Sequence, residues 1–162
     1  MVPSTSRASE SSPPLSFTKC DDPVAVVRES FNISTRGDAD VIDVTPEVSE
    51  SIRRSGVTSG TVTVFVPGAT ASVTTIEYEP GLVEDMDELF DRIAPVNREY
   101  HHNLRWHDGN GHAHVRASLL GPSLTVPFTN GKLEMGIWQQ IIVVDFDNRS
   151  RDREIVCQII GE

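Results

Sequence analysis

All five histidines of the chain fall within residues 101–114, HHNLRWHDGNGHAH. Imidazole nitrogens beside a carboxylate are a common coordination shell for zinc, manganese or iron. The same pair also serves as a general base with its orienting carboxylate. Asp108-Gly109-Asn110-Gly111 is turn chemistry, because both glycines take positive φ and Asp and Asn tolerate it. Such a loop can bring Asp108 or Asn110 toward His114. The segment contains no HExxH pair and no recognised catalytic triad signature. Two readings therefore stand at this level: a metal or acid–base site, or histidines on an exposed loop.

The elements that must position these residues follow from periodicity. HAHVRASLL alternates, which predicts a strand. His112, His114, Arg116 and Ser118 then share one face, and Ala113, Val115 and Ala117 share the other. That polar row offers ligands, an anion partner and a hydroxyl from one rigid element. Residues 24–35 and 40–45 read as strands paired across Gly37-Asp38. A short helix starts at Thr45-Pro46, where Pro suits the first position, and ends before Gly56. GTVTVFVP and SVTTIEY are further strands. In PGLVEDMDELFDRIAP, residues Leu82, Val83, Met86, Leu89, Phe90 and Ile93 form one helical apolar stripe, with acids on the opposite face. The remainder reads as strands: SLTVPF, KLEMG, WQQIIVVDFD and REIVCQII, with a turn at Asn130-Gly131. Asp145 and Asp147 are expected to face solvent. Two helices among many strands imply a compact α+β domain with a mainly antiparallel or mixed sheet.

Composition bounds the function. The chain has 162 residues, a natural size for one core, and a formal net charge of -10. That charge argues against a nucleic-acid partner, which needs a basic face. It also obliges an anionic substrate to find a local cation. No apolar run approaches the roughly 20 residues that span a bilayer. Residues 1–22, rich in Ser and Pro, are expected to be a disordered tail, and residues 23–162 the domain. Cys20 and Cys157 form no metal or disulfide framework, which fits a reducing compartment such as the cytoplasm.

Three stretches carry a resemblance: VPGATASVTTIEYEPGLVEDM, then YHHNLRWHDGNGHAHVRASLLGPSLTVPFTNGKLEMGIWQQIIVVDFD, then the closing QIIGE. Together they are similar to the YjbQ-like family, whose members are often called secondary thiamine-phosphate synthases. The likeness spans roughly residues 24–162. It implies a compact α+β fold assembled as a homotrimer. It also implies a weak activity that joins an aminopyrimidine diphosphate to a thiazole phosphate. The alternatives are a metal-assisted enzyme with another small polar or phosphorylated substrate, and a non-catalytic trimeric protein that binds a metabolite or metal.

Carried over by position, the family's recurrent polar residues are Thr70, Ser72, Thr74, Glu77, His102, Asp108, His114, Ser118, Ser123, Trp138 and Gln139. The resemblance so selects His102 and His114 from the five histidines. His102, His114, Asp108, Glu77 and Ser118 are candidates for catalysis, and the first three also for a metal. Thr70, Ser72, Thr74, Ser123, Trp138 and Gln139 are candidates for substrate binding, with Asn110 and Arg116 added from the loop and strand above. A divalent ion is the implied cofactor: Mg²⁺ with a diphosphate substrate, or Zn²⁺ at the histidines. Arg116, Lys132 and Arg105 are candidates to neutralise a diphosphate. Glu77 or the face of Trp138 could meet a cationic pyrimidine. This chain departs at Gly68, where many family members carry a histidine.

Overall fold

The run Ile141-Ile142-Val143-Val144 is apolar on consecutive residues, so a strand built from it must be covered on both faces. The computed structural model describes residues 23–162; the expected tail and Cys20 lie outside them. In chain order the elements are β1 (Ala25–Thr35), β2 (Asp40–Asp43), α1 (Thr45–Ser55), β3 (Gly60–Phe65), β4 (Ala71–Ile76), α2 (Pro80–Ile93), α3 (His101–Trp106), α4 (Gly111–Leu120), β5 (Ser123–Thr129), β6 (Lys132–Leu133), β7 (Gln140–Asp145) and β8 (Arg151–Gly161). The α+β class stands, with a fully antiparallel strand pairing.

The strands form two sheets, a five-stranded one ordered β1-β8-β3-β5-β6 and a three-stranded one ordered β2-β7-β4. β7 runs down the middle of the smaller sheet. Its Ile141 and Val143 enter a core with Val62, Val64, Ile155, Cys157 and Ile159 of the larger sheet. Its Ile142 and Val144 enter a second core with Phe90 of α2 and Ala113 and Ala117 of α4. The domain is thus layered: large sheet, small sheet, helices. α1 adds Val48 and Ile52 to the first core, in line with Val44 at its N-cap, one residue per turn along a single stripe.

Three sequence expectations are corrected. β1 and β2 do not pair with each other; β1 pairs with β8 and β2 with β7. Gly37, Asp38 and Ala39 all take positive φ, 79°, 55° and 61°, which turns the chain from one sheet to the other instead of closing a hairpin. A Cβ at Gly37 would lie 2.3 Å from the Asp147 carbonyl oxygen, so only glycine fits this corner. Second, the described residues form four helices where two were expected, because residues 101–106 and 111–120 are helical. Third, HAHVRASLL is α4 and not a strand. Its short apolar residues satisfy both periods on paper. Val115, which alternation places inward, is 41% exposed, while the i, i+4 pairs Ala113/Ala117 and His112/Arg116 are buried. The second core accepts a helix there because two alanines permit close approach to Val144 and Phe146.

α2 matches its predicted span. Its stripe is buried only in part: Phe90 stacks edge-on against Phe146 with ring centroids 4.7 Å apart, while Leu89 and Ile93 are exposed. The Glu79 side chain accepts the Gly81 and Leu82 amides and so caps the helix.

Candidate metal centre

α3 and α4 form a helical hairpin joined by residues 107–110. His107 closes α3 in the left-handed conformation, φ 54°, and its amide donates to the Asn103 carbonyl at 2.8 Å. Asn103 Oδ1 accepts the Gly111 amide at 2.8 Å, tying the first helix to the start of the second. A Cβ at Gly111 would sit 2.5 Å from Tyr100 Cβ, so the glycine lets the two segments meet. Asn148 clamps the loop from β7's end, donating from Nδ2 to the Asp108 carbonyl at 2.8 Å and from its amide to Asn110 Oδ1 at 3.2 Å.

This hairpin brings His102, early in α3, against His114, early in α4. Their rings lie 4.2 Å apart, tilted by 38°. His102 Nε2 is 3.3 Å from Asp108 Oδ2. One ligand atom from each of His102, Asp108 and His114 lies within 4.8 Å of the others. Two donors at about 2.0–2.1 Å from a tetrahedral ion stand roughly 3.4 Å apart, so the His102–Asp108 spacing already matches one edge of such a site. Asp108's carboxyl is held below its usual range, chiefly by the Asn110 amide, with His102 adding to it. Burial, then the neighbouring His102, pushes the His114 imidazole down. An ionised carboxylate and a neutral imidazole are the forms a metal takes.

Beside His114 lies a pocket of about 220 Å³. Gly68 and Ala69 line one side, and His114, Ala117 and Ser118 of α4 the other.

Comparison with known proteins matches residues 29–162 to the family model described as UPF0047 protein YjbQ-like. The chain belongs to the YjbQ-like UPF0047 family. It is 33% identical over 144 residues to a UPF0047 protein of Methanothermobacter thermautotrophicus, covering 89% of this chain and 99% of that one. It is 33% identical over 134 residues to the YugU protein of Bacillus subtilis, covering 82% and 98%. A crystal structure of a YbjQ-like protein of unknown function from Sulfolobus solfataricus superposes with a TM-score of 0.81 at 33% identity, over 86% of this chain and 99% of that one.

In this YjbQ-like chain the other candidates divide by position. Ser118 borders the pocket, and its hydroxyl donates to the Val115 carbonyl at 2.8 Å. Thr70 is buried behind the Gly68 loop and donates to Asp147 at 2.9 Å. Ser72 is buried and donates to the Ala117 carbonyl at 2.8 Å, joining β4 to α4. Asn110 is buried at the start of α4, committed to the Asn148 amide. Gln139 braces its own loop, accepting from the Gly136 amide at 2.8 Å and donating to Thr75 at 3.3 Å. Trp138 is 64% exposed. Thr74, Glu77 and Ser123 are not among the pocket-lining residues. His101 and His107 are exposed, and His112 is buried with burial pushing its imidazole down.

Arg116, which the strand reading placed on one polar face with His112, His114 and Ser118, is buried between helices. Its side chain is 2% exposed and paired with Asp91 at 2.5 Å, with Nε donating to the Ala94 carbonyl at 2.9 Å. Its role is to join α4 to the end of α2. We expect Arg116→Met to lower stability by roughly 1–3 kcal/mol, because the Ala94 carbonyl loses its donor. The ion pair adds little to that figure, since Asp91 is 61% exposed. Urea unfolding measures this, and metal content should be unchanged.

Asp145 and Asp147 do not face solvent either; their side chains are 0% and 1% exposed. Asp145 accepts both Nε and Nη2 of Arg153, each at 2.7 Å, and the Thr35 hydroxyl. Asp147 pairs with Arg151 at 2.8 Å, and its carboxyl is held low by Arg151 and Thr70 despite the opposing effect of burial. This charged quartet was missed, although alternation contains it. Ile141, Val143 and Asp145 share one face of β7, and Arg153, Ile155, Cys157 and Ile159 share one face of β8. Both inward rows end in opposite charges.

Proposed function

We propose that His102, Asp108 and His114 bind a divalent metal ion, and that the adjoining pocket holds a small phosphorylated substrate. The observation that carries this is the convergence of two imidazoles and a carboxylate within 4.8 Å on a braced helical hairpin. Three protein ligands leave coordination positions open, as in catalytic rather than structural sites. A bound divalent ion supplies charge neutralisation to a departing phosphate or diphosphate. The chain's own part is to orient the substrate: apolar walls from Ala69, Ala71 and Ala117 exclude water, and Ser118 offers a hydroxyl at the rim.

The family resemblance supports a specific reaction, in which an aminopyrimidine diphosphate alkylates a thiazole phosphate to give thiamine phosphate and pyrophosphate. Arg116 is committed to Asp91. Lys132 is exposed on the edge strand β6, and Arg105 is exposed over the Trp106 ring. None of the three lines the pocket, so the metal is the cation this reading relies on. The test is metal content of untagged protein, followed by Mg²⁺-dependent formation of thiamine phosphate. Bound metal without that product moves the reading to another phosphorylated substrate. Binding without turnover of any substrate makes this a binding protein.

A homotrimer is part of the same reading. Leu104 and Trp106 of α3 and Leu119 of α4 are 57%, 64% and 58% exposed, more apolar surface than one hairpin leaves uncovered without reason. Light scattering is expected to give the mass of three chains; a monomer would end this part of the proposal.

A further inference from the structure

We propose that Arg153 is the anion-recognition residue of the pocket beside the histidine cluster, presenting Nη1 past Gly68 to a phosphate of the bound ligand. This deepens the function proposed above by naming the group that receives the anionic end of its substrate.

The guanidinium of Arg153 is 9% exposed and fixed on two of its three nitrogens. Nε and Nη2 donate to Asp145, and Nη2 also to Thr70 Oγ1 at 2.9 Å. Nη1 takes no part in these contacts. It lies 3.0 Å from where a Cβ on Gly68 would stand, and it is the one atom within 4 Å of that point. Gly68 is itself exposed and lines the pocket with His114. Arg153 is not itself a pocket-lining residue; Gly68 is, and the space its missing side chain leaves lies against Arg153 Nη1. Any larger residue at 68 would cover that nitrogen.

The charge around Arg153 is balanced and does not repel an anion. The buried cluster sets two guanidiniums, Arg151 and Arg153, against two carboxylates, Asp145 and Asp147. With a net charge of -10 on the whole chain, a phosphate needs such a local donor. The pre-fixed planar fork loses little entropy on binding. Among the described residues, the Gly68 and Ala69 amides donate to no backbone carbonyl outside the strands, which leaves further donors on the same loop.

The test uses full-length untagged protein, stripped of metal with chelator and titrated with inorganic pyrophosphate by calorimetry. One pyrophosphate per chain is expected, and Arg153→Lys should weaken it tenfold or more while metal uptake persists. In parallel, nitrogen-15 arginine NMR of the wild type should show the assigned Arg153 guanidinium signal moving during the titration. That spectrum decides the matter where the lysine variant fails to fold. Absence of binding, binding that Arg153→Lys leaves unchanged, or shifts confined to other arginines would each overturn the proposal. Acetate binding as tightly as pyrophosphate would also overturn it, by assigning the site to carboxylates. Because metal uptake is read separately, loss of the metal reading leaves this result standing, and the reverse holds.

Discussion

Asp145→Ala is expected to cost about 3–5 kcal/mol of folding stability, the range for removing one partner of a buried pair. The side chain is fully buried and receives two hydrogen bonds from Arg153, one from Thr35 and one from the Asp147 amide at 3.0 Å. Alanine leaves a guanidinium that is 9% exposed with Asp147, at 3.5 Å, as its remaining carboxylate and the Thr70 hydroxyl as its remaining acceptor. A domain of this size has roughly 5–15 kcal/mol in total, so a large share is lost. The melting temperature should fall by on the order of 10 °C. A double-mutant cycle with Arg153→Met separates the pair from the packing: much of the single-variant cost should be recovered when both charges are gone. A loss below about 1 kcal/mol in Asp145→Ala would mean that the pair is hydrated and not the anchor described.

His114→Ala is expected to abolish metal binding while leaving the fold nearly intact. Its imidazole is one of the three donors of the proposed centre, so its loss should exceed the roughly 10–100-fold penalty typical of removing an outer-shell partner. The side chain is only partly buried, at the end of a hairpin braced by Asn103 and Asn148. His102→Ala should behave in the same way. His101→Ala and His107→Ala are the controls, because both are exposed and outside the cluster. Metal-content mass spectrometry on untagged protein reads all four. Stoichiometric metal surviving in His114→Ala would sink the proposed centre, as would equal losses in the control variants.

The resemblance selected His102 and His114 as candidates, with Asp108 already offered by the turn at 108–111, and the structure explains why periodicity alone did not single them out. Residues 112–118 alternate polar with small apolar, and small residues suit either a strand face or a helix packed closely on a sheet. Only the partner surface decides, here β7 with its second apolar row, and that surface lies roughly thirty residues downstream. The helix at 101–106 was hidden for another reason. It is short and has no buried side chain, so it leaves no apolar stripe to read. α1, β3 and β5 were legible because each carries a clear period with its own stop signal, Gly56, Pro67 and Asn130-Gly131 in turn, and α2 because of its apolar stripe. The buried acids were misread because a charge at a strand end usually meets water. The alternation that would have turned them inward had to be matched with the same pattern in β8.

The central position of β7 bears on how the molecule comes apart. One strand contributes its odd residues to the core between the sheets and its even residues to the core beneath the helices. Neither core can open by swinging away from the other, since each would have to take the shared strand with it. The helical hairpin that carries the histidines is thereby coupled to the far sheet, and the domain loses the option of shedding its helices as an independent unit. Melting should be all-or-none, and the geometry of the histidine cluster persists as long as the β-layers do.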